Sequence, residues 1–127
     1  MTRGEIGALG ETLAAKYLKK NGYRILERNR HQSHNEIDLI VANREFLVFV
    51  EVKTRSAASE TLELPFGTPA EAVGRGKQAR TVRAAQDYLR LHPAKNRQIR
   101  MDVVEVYLEK DTGRLLKLHH IPDAFGA

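Results

Sequence analysis

The chain has 127 residues, 42% of them hydrophobic and 29% charged, the length and balance of one globular domain rather than a disordered chain. It contains no cysteine, which excludes a disulfide scaffold, thiolate zinc, Fe–S clusters and cysteine catalysis. A formal net charge of +5 makes a polyanion the expected partner.

Apolar side chains at Ile6, Leu9, Leu13, Ala14, Tyr17 and Leu18 form a helical stripe, and Asn21 with Gly22 supplies a stop, so a helix is predicted over 6–18, ending near residue 21. Residues 23–30 read as a first strand with a basic outer face, and 31–35 as its turn. Two apolar runs follow, 37–41 and 46–52, separated by Ala42, Asn43, Arg44 and Glu45. Both are β-branched and aromatic, the pattern of a hairpin. Residues 56–69, with Pro65, Gly67 and Pro69, read as a mobile loop, and 70–73 as a short helical turn. Gly74 and Gly76 interrupt before a helix over 77–91; strands over 99–108 and 115–121 close the chain around a turn at 110–113. The order α-β-β-β-α-β-β predicts a single α/β domain with a mixed sheet flanked by helices. The longest apolar run, 46–50, is far short of the about 18 residues of a membrane span. Met1 to Glu5 is too charged for a signal peptide, so the expectation is a cytoplasmic protein that engages no membrane.

Chemistry concentrates on the hairpin. Period-two alternation puts Glu51 and Lys53 on the same strand face as Leu47, Phe49 and Arg55. A tight turn at Arg44 and Glu45 makes Asn43 face Phe46. The same register sets Asp38 opposite Glu51 and Glu36 opposite Lys53. Two opposed carboxylates repel, and burial raises the cost. A divalent cation between them reverses the sign, and oxygen ligands suit Mg²⁺ or Mn²⁺. A neighbouring lysine can hold the attacking water and balance developing charge. Glu-x-Lys is equally the pattern of a solvated strand with a Glu36–Lys53 salt bridge, and the spacing alone leaves both readings open.

Asp38 followed on the next strand by Glu51, Val52 and Lys53 resembles the PD-(D/E)XK superfamily of restriction-endonuclease-like and Holliday-junction-resolvase-like nucleases. The bacterial YraN-like family is closer still. Gly7, Gly10, Glu11, Ala14, Tyr17, Leu18, Gly22 and Tyr23 resemble its opening helix; Glu36 to Ile40 and Phe49 to Arg55 resemble its central signature. Phe66 to Val73, Asp102 to Val104 and His120 to Phe125 resemble its later blocks. The resemblance implies a restriction-endonuclease-like fold and Mg²⁺- or Mn²⁺-dependent cleavage of DNA phosphodiesters. In that reading Asp38, Glu51 and the Val52 carbonyl are metal ligands, Lys53 is the catalytic lysine and Glu11 completes the acidic site. Ile37 stands where the superfamily's naming proline would be, and Asn35 where the family's glycine is usual.

Between Arg75 and Arg100 there are eight Lys+Arg and one acid, Asp87, a segment of +7 that leaves −2 for the remainder. This is the charge pattern of a phosphate footprint, with Arg55, Arg75, Lys77, Gln78, Arg80 and Arg83 as candidate nucleic-acid contacts. It is also that of a solvated helix face. Without tryptophan, base stacking has little support and backbone recognition is expected. The five histidines show no metal-ligand spacing, and Asp102 beside Arg100 reads as a structural salt bridge. The expected function is a metal-dependent endonuclease on DNA, with a two-fold dimer suited to a double-strand cut. The rival is a non-catalytic nucleic-acid-binding or partner-binding module that keeps the fold.

Overall fold

The computed structural model describes residues 1–32, 35–57 and 74–126. These form α1 (Arg3–Lys20), β1 (Arg24–Gln32), β2 (Asn35–Ala42), β3 (Phe46–Ala57), α2 (Arg75–Leu91), β4 (Gln98–Glu109) and β5 (Leu115–Ile121). The five strands make one sheet in the order β1-β2-β3-β4-β5. Only β3 and β4 run parallel, and α2 is the crossover that parallel neighbours require. The expected mixed sheet between helices is what forms.

α1 begins three residues earlier than its apolar stripe suggests because Thr2 and Glu5 make a capping box. The Glu5 N–H donates to Thr2 Oγ1 at 3.1 Å, and the Thr2 N–H donates to Glu5 Oε1 at 2.8 Å. It ends at Asn21, where Gly22 takes φ +93°, a left-handed value open to glycine.

The sheet separates two cores. On one face Ala14 and Leu18 of α1 pack on Leu39, Val41, Val48, Val50, Val104 and Val106. On the other, Ala84, Ala85 and Tyr88 of α2 pack on Ile40, Leu47, Phe49, Met101 and Val103. Strands covered on both faces read as continuous apolar runs, which is why β4 is buried from Met101 to Leu108.

Two boundaries differ from expectation. Ser56 and Ala57, assigned to a loop over 56–69, extend β3, because its parallel ladder with β4 continues to Ala57–Glu109. The rest of that loop and the turn at 70–73 lie outside the described residues. Gly76 does not interrupt; it is the second residue of α2, which starts at Arg75 after an N-cap Gly74 that makes no side-chain cap bond.

Asp102 is fully buried and satisfied. It takes two bonds from Arg100 at 2.8 Å, one from the Asp123 N–H at 2.9 Å, and its Oδ2 lies 2.7 Å from His120 Nε2. Burial alone would raise its pKa, but the bonds from His120 and Arg100 hold the carboxyl below the usual carboxylate range. The structural salt bridge expected at Asp102 is present, and His120 joins it to α1 through Tyr17, whose hydroxyl is 3.2 Å from Nδ1.

α1 reaches the sheet at Gly10, where an added Cβ would fall on the Thr54 side chain. We expect Gly10→Ala to destabilise the fold by about 2–4 kcal/mol. Thr54→Ala added to it should recover part of the loss, because it removes the colliding atoms. A double-mutant cycle in urea measures the coupling; simple additivity would mean that this contact does not set the α1–sheet distance.

Candidate active site

The β2–β3 hairpin has the expected register. Leu39 pairs with Val50, Ile40 with Phe49, Val41 with Val48 and Ala42 with Leu47, and the Asn43 N–H closes the turn on the Phe46 carbonyl at 3.0 Å. The ladder stops at Leu39–Val50, one pair short of the opposition between Asp38 and Glu51 that this register predicts. In place of a backbone partner, Val52 N–H donates to Asp38 Oδ2 at 2.9 Å. N–H and C=O of one strand residue point to the same side. The Val52 carbonyl therefore faces the Asp38 edge, where no β2 partner occupies it.

Asp38 and Glu51 are close enough for each to shift the other's pKa. Glu51 is 6% exposed. Burial, then the Asp38 charge, push its pKa up to about 8 from an ordinary 4.5. Asp38 is also raised, chiefly by burial, but the Val52 N–H stabilises its charged form. Glu51 is thus held toward its protonated form near neutral pH. Its Oε2 is buried without a hydrogen-bond partner, a cost that a bound cation would remove.

Glu11 approaches from α1. Burial and the Asp38 charge raise its pKa, while Arg28 and an Asn29 hydrogen bond oppose them. Its Oε1 is likewise buried and unpartnered. Asn29 adopts φ +51° in the gap between the Arg28–Leu39 and Arg30–Ile37 pairs, an irregularity that sequence alternation does not reveal. Glu11, Asp38, Val52 and Lys53 line a common cavity of about 550 Å³, with Arg3 and Ser56 at its margin. Among the described residues no three His, Asp or Glu side chains are close enough to cage an ion. An ion held at the Asp38–Glu51 pair would therefore have to complete its shell with backbone, water or substrate oxygens, Glu11 facing the same cavity as Asp38.

Lys53 borders the cavity and its charge lowers the Glu51 pKa. Lys77, expected among the nucleic-acid contacts and, as the opening of the helix, within reach of the scissile region, has its Nζ 3.6 Å from Glu51 Oε1. Helical spacing from the buried Thr81 and Ala84 places it on the sheet-facing side. The Glu36–Lys53 pairing does not form as expected, since the β2–β3 ladder ends at Leu39–Val50. Glu36 instead adds its charge to the acids, raising both Glu11 and Asp38.

The remaining basic residues divide. Arg97 donates to the Asn43 carbonyl at 2.7 Å, Arg90 pairs with Asp87 at 2.9 Å, and Arg100 is committed to Asp102. Arg75, Arg80 and Arg83 are exposed on α2, and Arg75, Gln78 and Arg83 line one hollow. Arg55 is directed to Glu105 at 3.8 Å. Glu105 is a residue the sequence did not mark. The parallel register seats it beside Lys53, with His119 next across β5. It is 4% exposed and takes the Tyr107 hydroxyl at 3.3 Å. Only knowledge of the β3–β4 pairing would have found it.

Residues 10–106 match the pattern described as uncharacterised protein family UPF0102. A UPF0102 protein of Caldanaerobacter subterraneus subsp. tengcongensis is 44% identical over 120 residues, 94% of this chain and 93% of the relative. One from Chlorobium phaeobacteroides is 43% identical over 124 residues, 95% and 94% of the two chains. One from Dictyoglomus thermophilum is 39% identical over 125 residues, covering 98% and 100%. The chain belongs to this family, in agreement with its YraN-like sequence blocks.

The raised Glu51 pKa fixes the sign of a pH dependence. An unfolded glutamate loses its proton near 4.5 and the folded one near 8. Glu51's contribution to stability is therefore full below pH 4.5 and lost as pH rises through 8. In chelator-treated buffer we expect Glu51→Gln to raise stability above about pH 8 by on the order of 1–3 kcal/mol. At about pH 5 it should change little. Urea midpoints at the two pH values check this, and equal effects at both would remove Glu51 as the proton holder.

Proposed function

We propose that this member of UPF0102 is a metal-dependent phosphodiesterase acting on nucleic acid, with DNA as its substrate. The observation that carries the reading is the juxtaposition of the half-buried Asp38, fixed by the Val52 N–H, with the buried Glu51, one of whose oxygens has no partner among the described residues. Perturbed acids beside a lysine in a cavity are the usual signature of a chemical site. The acids Asp38 and Glu51 with the Val52 carbonyl suit Mg²⁺ or Mn²⁺, which would supply charge neutralisation at the phosphate and acidify a bound water.

The chain's own groups do the rest. Lys53, at the cavity margin, holds the attacking water and offsets charge developing on the phosphate oxygens. Glu11 extends the acidic wall on the α1 side and accepts a proton or a hydrogen bond from water. Lys77 balances Glu51 when the pair ionises, so that the acids remain packed without a substrate. Arg75, Arg80 and Arg83 form the exposed basic surface that would run along the backbone.

Millimolar Mn²⁺ should raise the melting temperature of the wild type by mass action and leave Asp38→Asn unshifted. On single-stranded, duplex, flap and four-way-junction DNA, the wild type should cleave in Mg²⁺ or Mn²⁺. Lys53→Ala should bind with similar affinity and cut at least about a hundredfold more slowly. Equal inertness of both proteins on every substrate would assign the chain to a non-catalytic binding module.

Charge removal at Arg75, Arg80 and Arg83 together should weaken binding to every sequence alike. It should flatten the slope of log affinity against log salt by about 2–3, at about 0.9 per duplex phosphate contact. An unaltered slope would move the footprint off α2.

A further inference from the structure

The C-terminal half of α1 and the edge strand β5 bound a second open cavity, of about 620 Å³, that the proposed chemistry does not use. Its floor is Leu13 and Tyr17 from the helix with Leu115 and Leu118 from the strand; Lys16, Lys19 and Lys20 form its rim. Leu115 is 41% exposed. Among the described residues no acid lines the groove, and β5 is terminal in the sheet, so its outer backbone edge faces away from β4. At the far end Gly113 packs on Met1 and Leu9, which holds the start of β5 against α1.

The bland account covers part of this. Lys19 and Lys20 sit in the last turn of α1 and complement the negative end of the helix dipole. That explains two lysines; Leu13, Tyr17 and Leu118 also edge the core on this face, and Leu115 is left exposed beside them without a packing role. Nor does a nucleic-acid backbone account for it, because phosphates gain nothing over leucine. A second copy of the chain in a two-fold interface would bring its own three lysines against these, a like-charge juxtaposition that opposes association.

We propose that the α1–β5 groove docks an acidic peptide segment of a partner protein, with apolar side chains over Leu115 and Leu118 and carboxylates against Lys16, Lys19 and Lys20. The volume lies within the range of about 300–1,000 Å³ typical of binding pockets, enough for a few side chains and not for a folded domain. Charge complementarity selects the peptide, and apolar contact supplies what salt cannot screen. The groove shares no lining residue with the cavity of Glu11, Asp38 and Lys53, so docking on β5 leaves that cavity open.

The test uses the full chain and fluorescence anisotropy with labelled peptides in which aspartates alternate with leucines or phenylalanines. We expect saturable binding that falls about tenfold or more when the aspartates are replaced by lysine, or when the apolar residues are replaced by serine. Leu115→Asp, and separately Lys16→Glu with Lys20→Glu, should each cause a similar loss while melting temperature is retained; both sites are exposed. Removing Arg80 and Arg83 should leave peptide binding unchanged, which separates the groove from the basic face of α2. Absence of peptide binding, or binding indifferent to Leu115→Asp, overturns the proposal. So does Leu115-dependent binding to phosphatidylglycerol vesicles that exceeds peptide binding, or a concentration-dependent dimer that Leu115→Asp disperses. None of these readouts depends on cleavage, so failure of the groove and failure of the phosphodiesterase reading are distinguishable.

Discussion

The interaction on which the rest of the site depends is the Asp38 carboxylate taking the Val52 N–H at 2.9 Å. A backbone ladder would otherwise continue from Leu39–Val50 along the hairpin. By substituting a side-chain oxygen for a carbonyl, the chain ends the pairing of β2 with β3 at one place and points both backbone groups of Val52 into the opening. The same bond holds Asp38 beside Glu51, which is itself buried. The substitution thus produces the aperture, the acid pair and the pairing of a carbonyl with carboxylates in one step.

Two buried acids on adjacent strands show how environment divides structural from chemical roles. Val50 pairs with Asp102 in the parallel ladder, so Asp102 lies one residue from the level of Glu51. Asp102 is enclosed by Arg100, His120 and the Asp123 N–H, and its pKa is lowered. Glu51 has a lysine ammonium at 3.6 Å, a neighbouring carboxyl and one orphan oxygen, and its pKa is raised. A satisfied buried charge resists change and fixes packing. An unsatisfied one is destabilising alone and is relieved by a ligand. The Arg100 guanidinium also stacks over Phe46 at 4.5 Å and reaches Tyr23. The network of Asp102 therefore braces the turn end of β3, while that of Glu51 is left incomplete at the opposite end.

The local parts of this arrangement were legible in the sequence. Alternation over 46–55, together with the short gap after Ala42, is enough to derive the hairpin register and hence the meeting of Asp38 and Glu51, because both depend on residues near in sequence. The helix of α1 was legible for the same reason, although the capping box at Thr2 and Glu5 was needed to place its start. Long-range pairing was not legible. Nothing in the residues of β3 announces β4 as its parallel neighbour, so Glu105 and His119 beside Lys53 could not be foreseen. The reach of Lys77 toward the site was legible from its place at the opening of the helix, but its pairing with Glu51 was not, because it depends on how α2 packs on the sheet. Asn29 escapes for another reason: a positive φ in a strand leaves no periodic trace.

The same distinction between local count and spatial use applies to charge. The +7 of residues 75–100 reads as one basic surface, yet the fold spends much of it internally. Arg100 neutralises Asp102, Arg90 meets Asp87, Arg97 ties down the hairpin turn, and Lys77 serves Glu51. What faces solvent near the start of α2, without a carboxylate partner among the described residues, is the shorter set Arg75, Arg80 and Arg83, while Arg90 is exposed at the far end in its pair with Asp87. A phosphate backbone lying on that set would begin at the helix N-terminus, the same end from which Lys77 reaches Glu51. The basic surface and the acid pair are therefore joined through a single turn of helix. The position of that turn, more than the total charge of the segment, determines whether a bound strand is carried toward the carboxylates.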